Sequence, residues 1–272
     1  MLGLDDDTWE KNFLTLLNPL GEETSVMRTV LMPEMLEVMG RNYSRNIDKV
    51  CAFEIGNTFL PSLIDENELP SEELSMSIGT YGAGEDFFSM KGRVQTLLEM
   101  LGIIGLVFTA ESEYGAFHPG RCARMLTADG TQLAILGELH PTVAAAYGFD
   151  REVYAAEIDT ELIASLACYD RSYTPIPRYP AVSRDFAFLC NADTEAGSIE
   201  DVIARAGGEL VERIDLFDVY RGEKLGVGKK SLAFSVSLRA ADHTLSDEEA
   251  DKTVEKILGA VECELGFRIR EI

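Results

Sequence analysis

The sequence predicts an α+β protein of two domains, and three observations carry that expectation. Tyr173-Thr-Pro-Ile-Pro-Arg-Tyr-Pro180 divides the 272 residues; three prolines in six residues stop helices and favour an extended linker. Segments that alternate apolar and polar residues are joined by short turns such as Asp129-Gly130, which implies strands paired antiparallel. Helical patterns of apolar residues stand among these strands as a layer packed on a sheet, not as the crossovers of a doubly wound parallel fold.

In the first domain the spacing predicts a helix over 33–45, with Met35, Leu36 and Met39 turned inward, and strands over 50–59 and 74–81. An amphipathic helix is expected over 87–101, where Phe88, Val94, Leu97, Leu98 and Leu101 are apolar. Strands over 121–126 and 132–139 flank the Asp129-Gly130 turn. A short helix over 141–147 and a strand over 153–158 complete the domain.

After the linker, Phe186, Phe188 and Cys190 alternate with polar or small neighbours in a strand. Ser198 is the expected N-cap of a helix carrying Ile199, Val202 and Ile203, which Gly207-Gly208 ends. Two hairpin strands follow, near 210–220 and 230–240. Ser246 with Glu249 three residues on forms a capping box, and Val254, Ile257, Leu258 and Val261 recur at helical spacing as far as Gly266. Phe267 and Ile269 then alternate with Arg268 and Arg270 in a last short strand. The order β-α-β-β-α-β is the ferredoxin-like motif, with both helices on one sheet face and the other face available for binding.

Leu216–Phe234 shows what that open face carries. Strict alternation puts Phe217 and Val219 on the core side with Leu232, Phe234, Val236 and Leu238. The opposite side then holds Asp218, Tyr220, Ser231, Ala233, Ser235, Ser237 and Arg239. A flat ring beside hydrogen-bonding groups suits an unpaired RNA base. The same surface also suits a partner protein or a regulatory amino acid, since fold alone does not fix function.

Composition narrows the field. The net charge of −23 argues against bulk nucleic-acid binding, but residues 178–272 hold 13 Lys and Arg against 19 Asp and Glu, while the first 177 hold 11 against 28. RNA contact is therefore expected only in the second domain and only as a focused patch. No apolar run is long enough to cross a bilayer, and the start of the chain is acidic where a secretory signal is basic. Five scattered cysteines without a CxxC pair read as thiols of a cytoplasmic protein, with no zinc site. His118, His140 and His243 lie far apart; the first two, each followed by proline, read as turn residues. Gly82-Ala-Gly84-Glu-Asp opens no phosphate-binding helix motif, and Asp5-Asp6-Asp7 and Glu22-Glu23 read as solvated surface. No residues pair as nucleophile and base. Neither a catalytic residue nor a metal ligand is assigned.

Several segments taken in order resemble the β subunit of bacterial phenylalanyl-tRNA synthetase. They are Asn18-Pro-Leu-Gly-Glu-Glu-Thr-Ser-Val-Met-Arg-Thr, Ala52-Phe-Glu-Ile-Gly56, Met90-Lys-Gly92, His118-Pro-Gly-Arg121, Gly137-Glu-Leu-His-Pro141 and Arg178-Tyr-Pro-Ala-Val-Ser-Arg-Asp185. The resemblance covers only the C-terminal part of such a subunit, so the chain is expected to be a fragment without the family's N-terminal tRNA-binding and editing modules. It implies that residues 1–172 are a class II synthetase-like core that has lost activity. Phe53-Glu54 matches the motif 2 strand, but Gly137-Glu-Leu-His-Pro141 replaces the glycine-rich arginine segment of motif 3. For Arg28 and Arg121 it implies structural or interface roles, not catalytic ones. It implies that residues 179–272 are the anticodon-binding domain, with Asp218, Tyr220, Ser231 and Arg270 at the tRNA contacts. The partners it implies are the catalytic α subunit, in an α2β2 heterotetramer, and tRNA(Phe), with no DNA and no membrane. ATP and Mg2+ would serve the whole enzyme, with neither expected on this fragment. A free-standing ferredoxin-like regulatory or binding protein is the alternative.

Overall fold

The chain divides into two units, Met1–Arg171 and Ser172–Ile272, in a computed structural model that describes residues 13–21, 24–60, 69–170, 173, 175–222 and 225–269. The first unit contains, in order, α1 (Met32–Tyr43), β1 (Val50–Leu60), β2 (Ser71–Tyr81), α2 (Phe87–Met100), β3 (Val107–Ala110), β4 (Phe117–Leu126), β5 (Gln132–Leu139), α3 (Pro141–Ala146), β6 (Tyr154–Asp159) and α4 (Thr160–Leu166). The strands form one antiparallel sheet in the order β1-β2-β6-β5-β4-β3.

Both faces of that sheet are covered. Met32, Met35, Leu36 and Met39 of α1 pack with Tyr81, Ile135, Val153 and Ala155. Met90, Val94 and Leu98 of α2 pack with Ile78, Leu133, Leu136, Ala156 and Ile158. Helix α1 approaches β2 so closely that a Cβ on Gly79 would lie 2.2 Å from the Met39 sulfur. Two elements, β3 and α4, went unread in the sequence. The first has four residues, too few to show an alternation, and the second has seven, barely two turns. Asp159 starts α4 by accepting from the Leu162 N–H at 2.8 Å. His140 N-caps α3. His118, expected in a turn, stands within β4, where the pairing with β5 is interrupted between Phe117 and Cys122. Asp5-Asp6-Asp7 and Glu22-Glu23 lie outside the described residues.

The glycine-rich turn before α2 is organised around one carboxylate. Glu85 has a side chain only 1% exposed. It accepts from both Arg93 terminal nitrogens at 2.6 and 2.9 Å, from Lys49 at 2.8 Å and from the Ser89 hydroxyl at 3.2 Å. These contacts tie the start of β1, the turn and the second turn of α2 together. Next to it Asp86 and Ser89 form a reciprocal capping box.

In the second unit β7 (Val182–Asn191), α5 (Ala196–Gly207), β8 (Val211–Tyr220), β9 (Lys229–Leu238), α6 (Asp247–Leu265) and β10 (Arg268–Ile269) follow one another. The sheet order is β10-β7-β9-β8, all antiparallel. Ile199, Val202 and Ile203 of α5 and Ile257 and Val261 of α6 bury one face against Phe186, Phe188, Leu232, Phe234, Val236 and Leu238. The arrangement is the ferredoxin-like one. Ser246 and Glu249 make the expected capping box, and Gly266, with φ +70°, ends α6 in the left-handed conformation. Ser198 is not an N-cap: α5 starts at Ala196, and the Ser198 hydroxyl donates back to the Glu195 carbonyl at 2.7 Å.

Burial alone would push the Glu85 carboxyl up, but the donors from Arg93 and Lys49 outweigh it and hold the group at about 2. A depressed folded-state pKa contributes stability that is present above the unfolded value, near 4.5, and lost as pH falls toward 2. Glu85→Gln should therefore destabilise the chain at pH 7 by roughly 1–3 kcal/mol, and its gap to the parent should close between pH 4.5 and 2. Denaturant unfolding of both proteins across that range checks this.

Candidate nucleic-acid interface

The open face of the second sheet is built in rows by the register of β9 with its two neighbours. Leu189, Ser231 and Tyr220 form one row. Ala187, Ala233 and Asp218 form the next, then Asp185, Ser235 and Asp215, then Ser183, Ser237 and Arg213. Asp218, Tyr220 and Ser231 thus share one face as the sequence suggests. Arg270 lies outside the described residues. Arg268, two residues before it, pairs with Leu189 and makes a 3.2 Å ion pair with Glu262.

Strand β8 does not keep strict alternation. Leu216 faces Phe234 and Asp218 faces Ala233, so Phe217 is an extra residue with no partner on β9. A second interruption between Val211 and Arg213 leaves Glu212 in the same position. Each bulge reverses the side to which the following residues point. Phe217 is accordingly not a core residue, as alternation predicts, but is 59% exposed. The core-side residue is Leu216, paired with Phe234, while Val219 keeps its expected side opposite Leu232. Asp215 and Asp218, three apart, end on the same face for this reason.

Tyr220 keeps 38% of its surface exposed, whereas Ser231 beside it is only 3% exposed. The Tyr220 ring lies against Gly222, where an added Cβ would come within 2.5 Å of the phenolic oxygen. At the same end of the sheet Lys229 donates to the Asn191 side-chain oxygen at 2.7 Å. At the other end the Ser183 and Ser235 hydroxyls bond at 3.0 Å. A base can stack on Tyr220 and present its edge to Asp218, which accepts but cannot donate when ionised. Alternation places Arg213 and Asp215 on the wrong side, because no single-strand pattern shows where a bulge restarts it; Asp185, on the unbroken strand β7, keeps the side that alternation gives it.

Among its described residues the first unit offers no comparable surface. Arg28 bonds Glu34 and, at 3.0 Å, Glu54. Arg121 grips Glu138 at 2.6 and 2.7 Å, and Tyr154 reaches the same carboxylate at 3.3 Å. Among the described residues no group of three His, Cys, Asp or Glu is placed to hold a metal ion. Glu157 on β6 is the perturbed group here: one of its carboxylate oxygens is buried without a hydrogen-bond partner. Burial pushes its pKa up to about 7, although the N–H groups of Met32 and Leu31 at the start of α1 and the Ser77 hydroxyl pull the other way.

The phenylalanyl-tRNA synthetase β-chain CLM domain model matches residues 1–160, more than half of the chain. The chain belongs to the phenylalanyl-tRNA synthetase β-chain family. The ferredoxin-fold anticodon binding domain model matches residues 177–270, so the rows described above belong to a domain of that kind. Phenylalanine–tRNA ligase β subunits share the sequence: that of Clostridium acetobutylicum is 38% identical over 97% of this chain and 33% of its own length. The Moorella thermoacetica subunit is 39% identical over 98% of this chain and 34% of its own length. The chain therefore spans about a third of the length of the curated relatives it matches. A pyrrolysyl-tRNA synthetase structure from Desulfitobacterium hafniense aligns over 61% of this chain and 56% of its own at 16% identity and a TM-score of 0.48, too distant to bear on the fold.

A raised carboxyl pKa favours the folded state below the unfolded value of 4.5, and that advantage is lost as pH rises through about 7. Glu157→Gln, neutral throughout, should be more stable than the parent at pH 8, by at most about 3 kcal/mol. The two should converge toward pH 4.5, which unfolding curves at pH 4.5, 6 and 8 can read.

Proposed function

We propose that this chain is the non-catalytic C-terminal part of a phenylalanine–tRNA ligase β subunit, with its second unit holding the anticodon of tRNA(Phe) and its first packing on the catalytic α subunit of an α2β2 enzyme. The observation that carries the reading is the Tyr220–Ser231–Asp218 corner of the open face, in a domain that matches the anticodon-binding family. Tyr220 stacks on a base, a contribution of roughly 1–3 kcal/mol. Asp218 accepts from the N1–H and N2–H of a guanine, Ser231 stands beside Tyr220 on β9, and Arg270 supplies a cation to a base or phosphate.

Support for the packing role comes from β1, an edge of its sheet among the described residues. Phe53 and Ile55 lie on its α2 side, opposite Ile78 and Met76, yet Phe53 is 66% exposed. Exposed rings and aliphatic chains on an edge strand suit a protein partner better than RNA, and so does the acidity of this part of the chain. ATP and Mg2+ serve the whole enzyme; the residues described in this chain do not fit them. Arg28 and Arg121, the cations nearest in role to nucleotide-binding arginines, are each engaged by carboxylates, and no metal-ligand cluster is present among the described residues. The enzyme works in the cytoplasm: five free thiols, three of them exposed, suit a reducing compartment. No helix among the described residues is long and apolar enough to cross a membrane.

In the complete enzyme, Tyr220→Ala and Asp218→Ala should each raise the KM for tRNA(Phe) about tenfold or more, the equivalent of ~1.4 kcal/mol, and leave phenylalanyl-adenylate formation intact. Unchanged tRNA dependence in both variants would remove the site assignment. The isolated chain should show no ATP–pyrophosphate exchange with phenylalanine; turnover there would contradict the non-catalytic reading.

A further inference from the structure

Charge is sorted along the open face. Lys229 stands one row beyond Ser231 at one end, Arg213 stands in the last row at the other, and Asp218, Asp215 and Asp185 lie between. The two bulges of β8 bring all four residues to this face: the one at Glu212 turns Arg213 and Asp215 outward, and the one at Phe217 puts Asp218 and Tyr220 on the same side. Bulges that re-aim side chains gather at functional surfaces.

The Arg213 guanidinium is held by one edge alone. Its Nε donates to Asp215 Oδ1 at 2.8 Å and lies 2.6 Å from Oδ2 of the same carboxylate. The side chain is 70% exposed, and its two terminal amino groups have no partner among the described residues. An exposed pair of this kind contributes little to folding, so stability alone gives little reason for it. What the pair provides is a planar fork, fixed in direction, with four N–H donors left over. That fork matches the oxygens of a phosphate.

Position decides which phosphate. Six residues of β9 separate Ser231, opposite Tyr220, from Ser237, opposite Arg213, a distance of ~20 Å at the rise of a β-strand. A stacked strand advances about 3.4 Å per nucleotide, so a triplet seated on Tyr220 and Asp218 ends well short of Arg213. We propose that Arg213 is a backbone clamp for the RNA strand flanking the anticodon triplet, with Asp215 as its positioning residue. This rests on the reading that the open face takes the anticodon loop. The clamp adds affinity without reading sequence, since a phosphate is the same beside every base.

The test is binding of a tRNA(Phe) transcript to the complete enzyme between 50 and 200 mM KCl. Arg213→Gln should weaken binding by the same factor for transcripts with the native and with substituted anticodons. It should also lower the slope of log affinity against log salt by about 0.7–0.9, so that the parent loses ~3-fold more affinity than the variant over this range. Arg213→Lys should keep the slope and recover part of the affinity. An Arg213→Gln variant with the parent's slope and affinity overturns the clamp. Tyr220→Ala separates the two ideas: it should weaken binding with the salt slope unchanged. If Tyr220→Ala weakens binding and Arg213→Gln does not, only the clamp is wrong. If neither does, the reading of the face fails with it.

Discussion

Strand β9 sits between β7 and β8, and its pairing with both controls the second unit. Its apolar residues Leu232, Phe234, Val236 and Leu238 are each nearly fully buried under α5 and α6. A slip of one residue would carry all four to the open side. With that register held, the alternate residues Ser231, Ala233, Ser235 and Ser237 form a floor of small side chains, and the larger groups on β7 and β8 stand as walls. The open face is thus the reverse side of the core, and the forces that fix one fix the other.

Charge imposes a second constraint. A chain with net charge −23 can meet a polyanion only where a few cations are free and aimed. In the first unit Arg28, Arg93, Arg121 and Arg124 are each matched to a glutamate. Those arginines brace strands and turns, which leaves that unit's surface field acidic. In the second unit the open face keeps Lys229 and Arg213 at its ends, and the hydrogen-bonding middle is ringed by acceptors. On the proposed reading such a surface favours bases that present donors, since few phosphates can be neutralised at once.

Much of this was legible in the chain itself. Long amphipathic helices, the paired capping-box residues Ser246 and Glu249 and the Gly266 stop each announce themselves through local chemistry, and the structure keeps them. The ferredoxin-like order of elements followed from those signals. What stayed hidden depends on pairing partners. Ser198 looks like an N-cap in isolation, but the chain already turns helical at Ala196. Phe217 looks like a core residue by parity, but β9 has nothing to set against it. Asp218, Tyr220 and Ser231 were readable because they lie beyond the last bulge, where parity counts correctly; Arg213 and Asp215 lie between the two bulges, where it does not.

The bulge at Phe217 has an evolutionary corollary. Its contribution is a count, not a side chain: one additional residue between Leu216 and Asp218, largely in solvent and unpaired. Many residue types can fill such a spacer. Losing it is another matter, because a single-codon deletion would turn either the open-face residues Asp218 and Tyr220 or the core-side Leu216 to the wrong side. A substitution at position 217 is therefore far milder than a deletion there, because what the strand needs from this position is its place in the count.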